Sequence, residues 1–297
     1  MSLPYGVDVS VPSVARMYDR LLGGHDNYPA DRAACEALLT QVPSMRELAL
    51  NNRAFLRRVV HTLAGEYGIR QFIDHGSGLP TQDNVHEVAQ RVDPASRVVY
   101  VDNDPIVRAM GSGLLESNDR TAVLQADMRD TQTIFGSEPV RRLIDFGEPV
   151  AALFVSVLHC IPDHDRPQAL VRRVADLLPP GSMMVVCQLV SDSAEIRDAV
   201  TQFMKEQTRD HWGRVRERAD VAAFCAPLDL EEPGLTEVSA WRPRPGDAPS
   251  HRTGENDAPP HRTGENDVPP QRTWENDVPP QRTWEWEEYG GVGFVRK

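Results

Sequence analysis

The chain has 297 residues, 40% of them hydrophobic, with a formal net charge of −12. That length and apolar content suit one large α/β domain with additions, and the negative charge argues against a general binder of nucleic acid or of an anionic membrane surface, because phosphates would be repelled. The four cysteines, Cys35, Cys160, Cys187 and Cys225, form no Cys-x-x-Cys pair, which argues against zinc and suits reduced thiols in a cytoplasmic protein.

Met1 to Tyr5 lack the basic and apolar pattern of a signal peptide. No apolar run approaches the roughly 18 residues a membrane helix needs. Residues 13–22 read as a helix stopped by Gly23-Gly24. His25-Asp26-Asn27 is then a polar loop, and Pro29 suits the first turn of a second helix that runs to about Thr40. Ser44-Met45-Arg46-Glu47 has capping-box spacing. Leu48, Phe55, Leu56, Val59, Val60 and Leu63 then recur at helical intervals up to Gly65 or Gly68. Residues 1–70 are therefore expected as a helical flank, either a structural support or a lid that brings residues 23–27 to a ligand.

The centre of the chain is Gln71-Phe72-Ile73-Asp74-His75-Gly76-Ser77-Gly78-Leu79-Pro80-Thr81. A short apolar run ends in an acid, two glycines allow a tight turn, and a helix-compatible segment follows through Val85, Val88, Ala89 and Val92. Arg97–Asp102 is a second apolar run ending in an acid, 28 residues after Asp74. That is the span of a strand, a crossover helix and a strand. Thr121–Asp127 ends in an acid as well. Three parallel strands would thus deliver carboxylates to one edge of a sheet, where a nucleoside-like ligand can lie. The dinucleotide fingerprint wants a third glycine where this chain has Thr81, and Asp74 would repel a pyrophosphate. A cationic ligand without phosphate, such as S-adenosylmethionine, suits the acid-rich edge better than NAD.

Residues 149–159 read as a fourth strand buried on both faces. Residues 165–178 read as a helix ended by Pro179-Pro180-Gly181, residues 183–190 as a fifth strand, and residues 193–209 as a long helix. Arg218–Phe224 is a short helix, Leu235–Trp241 a sixth strand, and Val292–Val295 a seventh. Between the last two strands lie decapeptides at 251–260, 261–270 and 271–280, each ending in Pro-Pro, and a decayed fourth copy at 281–290. They carry no apolar periodicity, so residues 243–287 are expected to be a disordered insertion.

Phe72 to Arg91, Tyr100 to Pro105 and Ala126 to Asp130 resemble the class I S-adenosylmethionine-dependent methyltransferases. More narrowly, Tyr18 to Tyr28 and Val157 to Asp163 are similar to the family once called a domain of unknown function and renamed S-adenosyl methyltransferase. The resemblance covers most of residues 10–242 and the last ten residues. Family members would have an aliphatic residue at His75. The resemblance implies a Rossmann-like seven-stranded, mostly parallel sheet with helices on both faces, an N-terminal helical lid and an antiparallel last strand. It divides the chain into a lid (1–70), a cofactor-binding domain (71–242 with 288–297) and the insertion. It also implies methyl transfer from S-adenosylmethionine to an unidentified, small-molecule acceptor.

Asp74 is expected to meet the cofactor's ammonium, Gly76 and Gly78 to let the backbone approach it, Asp102 to hold the ribose and Asp127 the adenine amino group. Tyr18, Gly24, His25, Asn27, Ser77, Asn103, Met128 and Ser156 complete the candidate cofactor contacts. Methyl transfer needs mainly alignment of donor and acceptor, with a base only when the acceptor is protonated. His159, after the fourth strand, is the first candidate base and His25 the second; no metal-ligand spacing is present. A non-catalytic cofactor sensor and a NAD-binding oxidoreductase are the other readings.

Overall fold

In this computed structural model, residues 8–80, 83–114, 118–244 and 286–296 are described. β1 (Gln71–His75), β2 (Arg97–Asp102), β3 (Thr121–Gln125), β4 (Ala151–Val155) and β5 (Met183–Val190) are parallel, in the order β3-β2-β1-β4-β5. Their side chains alternate between two cores. Phe72, Val98, Tyr100, Leu153 and Val185 enter one; Ile73, Val99, Val101, Phe154 and Val186 enter the other. Both faces are therefore covered, which is why these strands read as near-continuous apolar runs.

The first face is covered by α3 (Met45–Gly65), α4 (Val85–Val92) and α5 (Pro105–Leu114). The second is covered by α6 (Thr131–Gly136), α7 (Glu138–Leu143), α8 (Pro167–Leu177) and α10 (Arg218–Phe224). α3 lays Phe55, Val59, Val60 and Leu63, all fully buried, on the sheet. α1 (Val14–Leu21), α2 (Pro29–Gln41) and α9 (Ala194–Gln207) build a separate small core with the start of α3. Pro29 occupies the first turn of α2, as its missing N–H allows. α4 is closed by a capping box between Asn84 and Glu87. The capping box expected at Ser44 does not form: Ser44 already has helical dihedrals, so its hydroxyl makes no cap bond.

The far side of the sheet differs from expectation. The last strand, β8 (Glu287–Val295), runs antiparallel to β5 along the whole of β5 and starts five residues before Val292. Its other edge is shared by two short strands, β6 (Leu228–Leu230) and β7 (Thr236–Glu237), both antiparallel to it. The sheet is thus seven positions wide with eight strands. The single sixth strand expected over 235–241 stops at Glu237 because Val238–Ala240 winds into a 3₁₀ turn. Arg58 of α3 donates to the carbonyls of Trp241 and Val238 at 3.0 and 2.6 Å, and Trp241 packs edge-on against Phe55. Those carbonyls therefore serve α3 rather than a ladder.

Of the expected insertion 243–287, residues 245–285 lie outside the described residues, and so does the expectation of disorder. Trp286 and Glu287 do not belong to it: Trp286 is buried in the core of α1, α2 and α9, and Glu287 opens β8.

Candidate functional site

The turn after β1 is built from backbone. Gly76 and Gly78 have φ of +72° and +67°, where an L side chain is strained. The N–H groups of Gly76 and Ser77 donate to the carbonyl of Val101 at 2.7 and 3.2 Å, which bends the turn over the end of β2. Asp102 holds it there: one carboxylate oxygen accepts from Gly78 N at 2.8 Å and the other from Asp104 N at 2.9 Å. The two glycines differ in surroundings. A Cβ on Gly76 would collide with the side chain of Val157, whereas one on Gly78 would meet nothing within 4 Å among the described residues. The turn is thus packed on its inner side and open above Gly78. The Ser77 hydroxyl is buried and has no partner among the described residues.

Two carboxyls flank this opening. Burial pushes Asp74 up to about 7, with the Asp102 charge adding to the rise and the Arg53 guanidinium opposing it. Burial likewise pushes Asp102 up to about 6, against the hydrogen bonds it accepts from Asp104, Gly78 and Asn103. Desolvated carboxyls with too little positive charge beside them favour a cation. The backbone N–H groups of Gly78, Asp104 and Asn103 take up three of the roughly four acceptor positions of the Asp102 carboxylate and leave about one for a hydroxyl donor. Arg53, which also reaches Asn84 Oδ1 at 3.4 Å, places a guanidinium beside Asp74. The pair is complementary to a zwitterionic amino-acid end.

The N-terminal segment closes over this edge. Ser13 Oγ donates to Asp104 at 2.6 Å, and Ala15 and Tyr28 pack against Leu79, Ile106 and Val107. Tyr18 donates to the Ala49 carbonyl at 3.1 Å and accepts from Asn52 at 2.9 Å. The loop between α1 and α2 is shaped by buried Asp19, which accepts from Asp26 N and Asn27 Nδ2, both at 2.9 Å. Gly24 packs so closely on Asp19 that any side chain there would overlap its carboxylate. Asn27 is buried, while His25 lies exposed on the same loop.

The remaining predicted residues sit at the same edge with varied surroundings. Asn103 is exposed after β2, and Met128 lies near the Gly76 turn. Asp127 is paired with Arg129, whose side-chain bonds hold its carboxyl below the usual range; Arg129 also pairs with Asp165. Ser156, next after β4, has φ +54° and donates to Glu288 at 2.7 Å. His159 is buried in a 3₁₀ turn, stacked on Trp212 with ring centroids 4.6 Å apart. Burial, and secondarily Arg216, pushes it down to about 3, so the ring is neutral. His75, where an aliphatic residue was expected, is also buried, stacked on Phe154 at 4.4 Å and pushed down by burial to about 4. It fills the core as a neutral flat ring.

Sequence reasoning missed Asn52, Arg53 and Glu288. Asn52 does leave a trace: it falls on the apolar stripe of α3, four residues after Leu48 and three before Phe55. A polar residue in that register must be buried, and it is, bonded to Tyr18 and accepting from Cys187 Sγ at 3.3 Å. Among the described residues there is no cluster of three or more His, Cys, Asp or Glu able to hold a metal, and no helix long and apolar enough to cross a membrane.

No curated protein matches the chain. Among solved structures, it is similar to a "putative methyltransferase" from Thermobifida fusca YX, with 36% identity, 99% of this chain and 98% of that one covered, and a TM-score of 0.81. It is also similar to a protein of the DUF574 family from Streptomyces avermitilis MA-4680, at 34% identity, 97% and 99% coverage and a TM-score of 0.79. A family model described as "S-adenosyl methyltransferase" matches residues 2–295. The acid-lined glycine turn fits that cofactor, and with nearly the whole chain matched, the protein belongs to the S-adenosyl methyltransferase family and is an S-adenosylmethionine-dependent methyltransferase.

Proposed function

We propose that the edge formed by β1, β2 and the N-terminal segment holds S-adenosylmethionine for methyl transfer to a small-molecule acceptor. The observation that carries this is the pair Asp74 and Asp102, a buried and a half-buried carboxyl raised toward neutrality on either side of a turn open above Gly78 among the described residues. The cofactor supplies a methyl group on a positively charged sulfur, a good leaving group. Asp74 takes its ammonium and Arg53 its carboxylate, Asp102 accepts from the ribose hydroxyls, and the backbone at Gly76, Ser77 and Gly78 lies against it. Asn103 and Met128 flank the adenine. Asp127 reaches the adenine amino group with the acceptor capacity that Arg129 leaves it.

α1, α2 and the 23–27 loop form the lid, with Tyr18, Gly24, His25 and Asn27 facing the ligand. α3 belongs with the sheet, since its apolar face is part of the sheet's own core. His159 serves as a wall: a ring held neutral down to about pH 3 is a weak base at neutral pH. The exposed loop leaves His25 free to touch the cofactor at the rim. A net charge of −12 disfavours a nucleic-acid acceptor, and four free cysteines suit a reducing, cytoplasmic setting.

Calorimetry tests the reading. S-adenosylhomocysteine should bind and NAD should not, and Asp102→Ala should lose about 2–4 kcal/mol of affinity, as expected for bonds to a charged group worth roughly 1.5–3 kcal/mol each. Unchanged affinity in a folded Asp102→Ala protein would remove Asp102 from the site. Binding of NAD alone would overturn the whole assignment.

A further inference from the structure

The cofactor reading uses β1 and β2, and crossing the same edge through β4 and β5 to β8 reaches a polar pair it leaves unused. Glu288 stands on β8 opposite Leu189, near the end of β5 where the parallel strands deliver their ligands. It is 4% exposed. Its Oε1 accepts from the hydroxyl of Ser156 at 2.7 Å, while its Oε2 is buried with no donor among the described residues. Ser156 is itself held in a left-handed conformation, φ +54°, with its N–H on the carbonyl of Cys187 at 2.9 Å. Backbone strain of this kind costs of order 1–3 kcal/mol and clusters at functional sites. The titratable groups that act on or feel Glu288 are Tyr18 of α1, Cys187 of β5 and Glu237 of β7. None of the three supplies a positive charge, so the orphaned oxygen has no ionic partner from them.

Resting on that reading, we propose that Glu288 takes up the proton of the methyl acceptor, whose nucleophile is therefore a hydroxyl or an amine that carries a hydrogen. An acceptor seated beneath α1 donates its O–H or N–H to Oε2, the position that lacks a donor. Its lone pair then forms the bond to the methyl carbon, and the carbon–sulfur bond breaks with its electron pair left on sulfur. The acceptor's proton passes to Oε2. Sulfonium and carboxylate are thereby converted to thioether and carboxylic acid, and the two charges cancel. Burial pushes the Glu288 carboxyl up to about 8, which makes it a stronger base than an exposed carboxylate once ionised; it is ionised above that pH, and the positive sulfur of the bound cofactor favours the ionised form.

The test uses the full-length protein saturated with S-adenosylhomocysteine and two matched probe pairs, phenol against anisole and benzylamine against benzyltrimethylammonium, followed by ligand-observed NMR. In each pair only the first member carries the hydrogen. At pH 9, above the value of about 8 to which burial raises Glu288 and where it is therefore mostly carboxylate, wild type should bind phenol or benzylamine about tenfold more tightly than its blocked partner, the value of one hydrogen bond to a charged group. Glu288→Leu, and Glu288→Gln should the first not fold, should lose most of that preference while binding S-adenosylhomocysteine normally. Equal or absent binding of the pair members by wild type, or a preference kept in the variants, overturns the proposal. A Ser–Glu tie with a purely structural role would leave the preference unmoved. Failure of S-adenosylhomocysteine itself to bind wild type would instead overturn the cofactor reading, so the two failures are told apart.

Discussion

Replacing each glycine of the turn by alanine separates packing from ligand approach. Both positions have positive φ, and placing an L residue there costs about 1–2 kcal/mol. At Gly78 that is the whole cost in the ligand-free protein, because a Cβ meets nothing within 4 Å among the described residues. At Gly76 the Cβ would also come within 3.0 Å of Val157 Cβ and 3.1 Å of Met128 Cε and overlap Val157 Cγ2, so Val157 must move. Forcing an extra methyl into a packed site adds about 1–3 kcal/mol. Urea unfolding without ligand should therefore show Gly78→Ala destabilised by about 1–2 kcal/mol and Gly76→Ala by about 2–5 kcal/mol. Calorimetry with S-adenosylhomocysteine should show the reverse emphasis for Gly78→Ala: modest instability, yet at least about tenfold weaker binding, or roughly 1.4 kcal/mol, because the methyl occupies space the ligand needs. Normal affinity in Gly78→Ala would show that the open side of the turn is not where the cofactor lies. Equal stability of the two variants would refute the packing against Val157.

Further outcomes follow from the same structure. Asp74, pushed up to about 7, favours the folded state at low pH and loses that advantage as pH rises through its folded value, so the melting temperature of Asp74→Asn relative to wild type should climb between pH 5 and 8; a gap independent of pH would refute it. His75 and His159, pushed down to about 4 and 3, act oppositely, stabilising above the ordinary histidine value and losing that contribution as pH falls below it, which sets the acid limb of the same stability curve. Replacing residues 247–284 by a short Gly/Ser linker should leave melting temperature and cofactor affinity nearly unchanged, since loop closure changes by only about 0.6 kcal/mol per doubling of length. Extending the replacement through Trp286 should cost about 3–5 kcal/mol, as for loss of a large buried aromatic; equal melting of the two deletions would show that Trp286 does not anchor the strand.

The part of the site made by local sequence was legible. An acid ending an apolar run, followed by a glycine turn, fixes Asp74 and Gly76 within a few residues of one another, and the length of a crossover sets Asp102 beside them. The part made by topology was not. Arg53 meets Asp74 only because α3 lies along the sheet's first face, and no spacing in the chain encodes that approach. Glu288 reaches Ser156 across 132 residues because β8 inserts next to β5, while its stretch reads in sequence as a decayed repeat. The sixth strand differs for a similar reason: 235–241 reads in sequence as one strand, but a buried arginine from α3 claims the carbonyls of Val238 and Trp241.

The two ends of the repeat segment are fastened far apart. Arg244 is held by Thr62 and Glu66 at the end of α3, beside the edge where the parallel strands begin. Trp286 re-enters next to Val190, at the edge where they finish. The nine residues of β8 span about 30 Å at roughly 3.3 Å each. An extended chain needs only about nine residues to match that distance, and about forty are present. Whole decapeptides can thus be lost without pulling on either anchor, and gained at little cost. Copy number is a length dial disconnected from the fold, so related chains can differ by multiples of ten residues here and still share one catalytic domain.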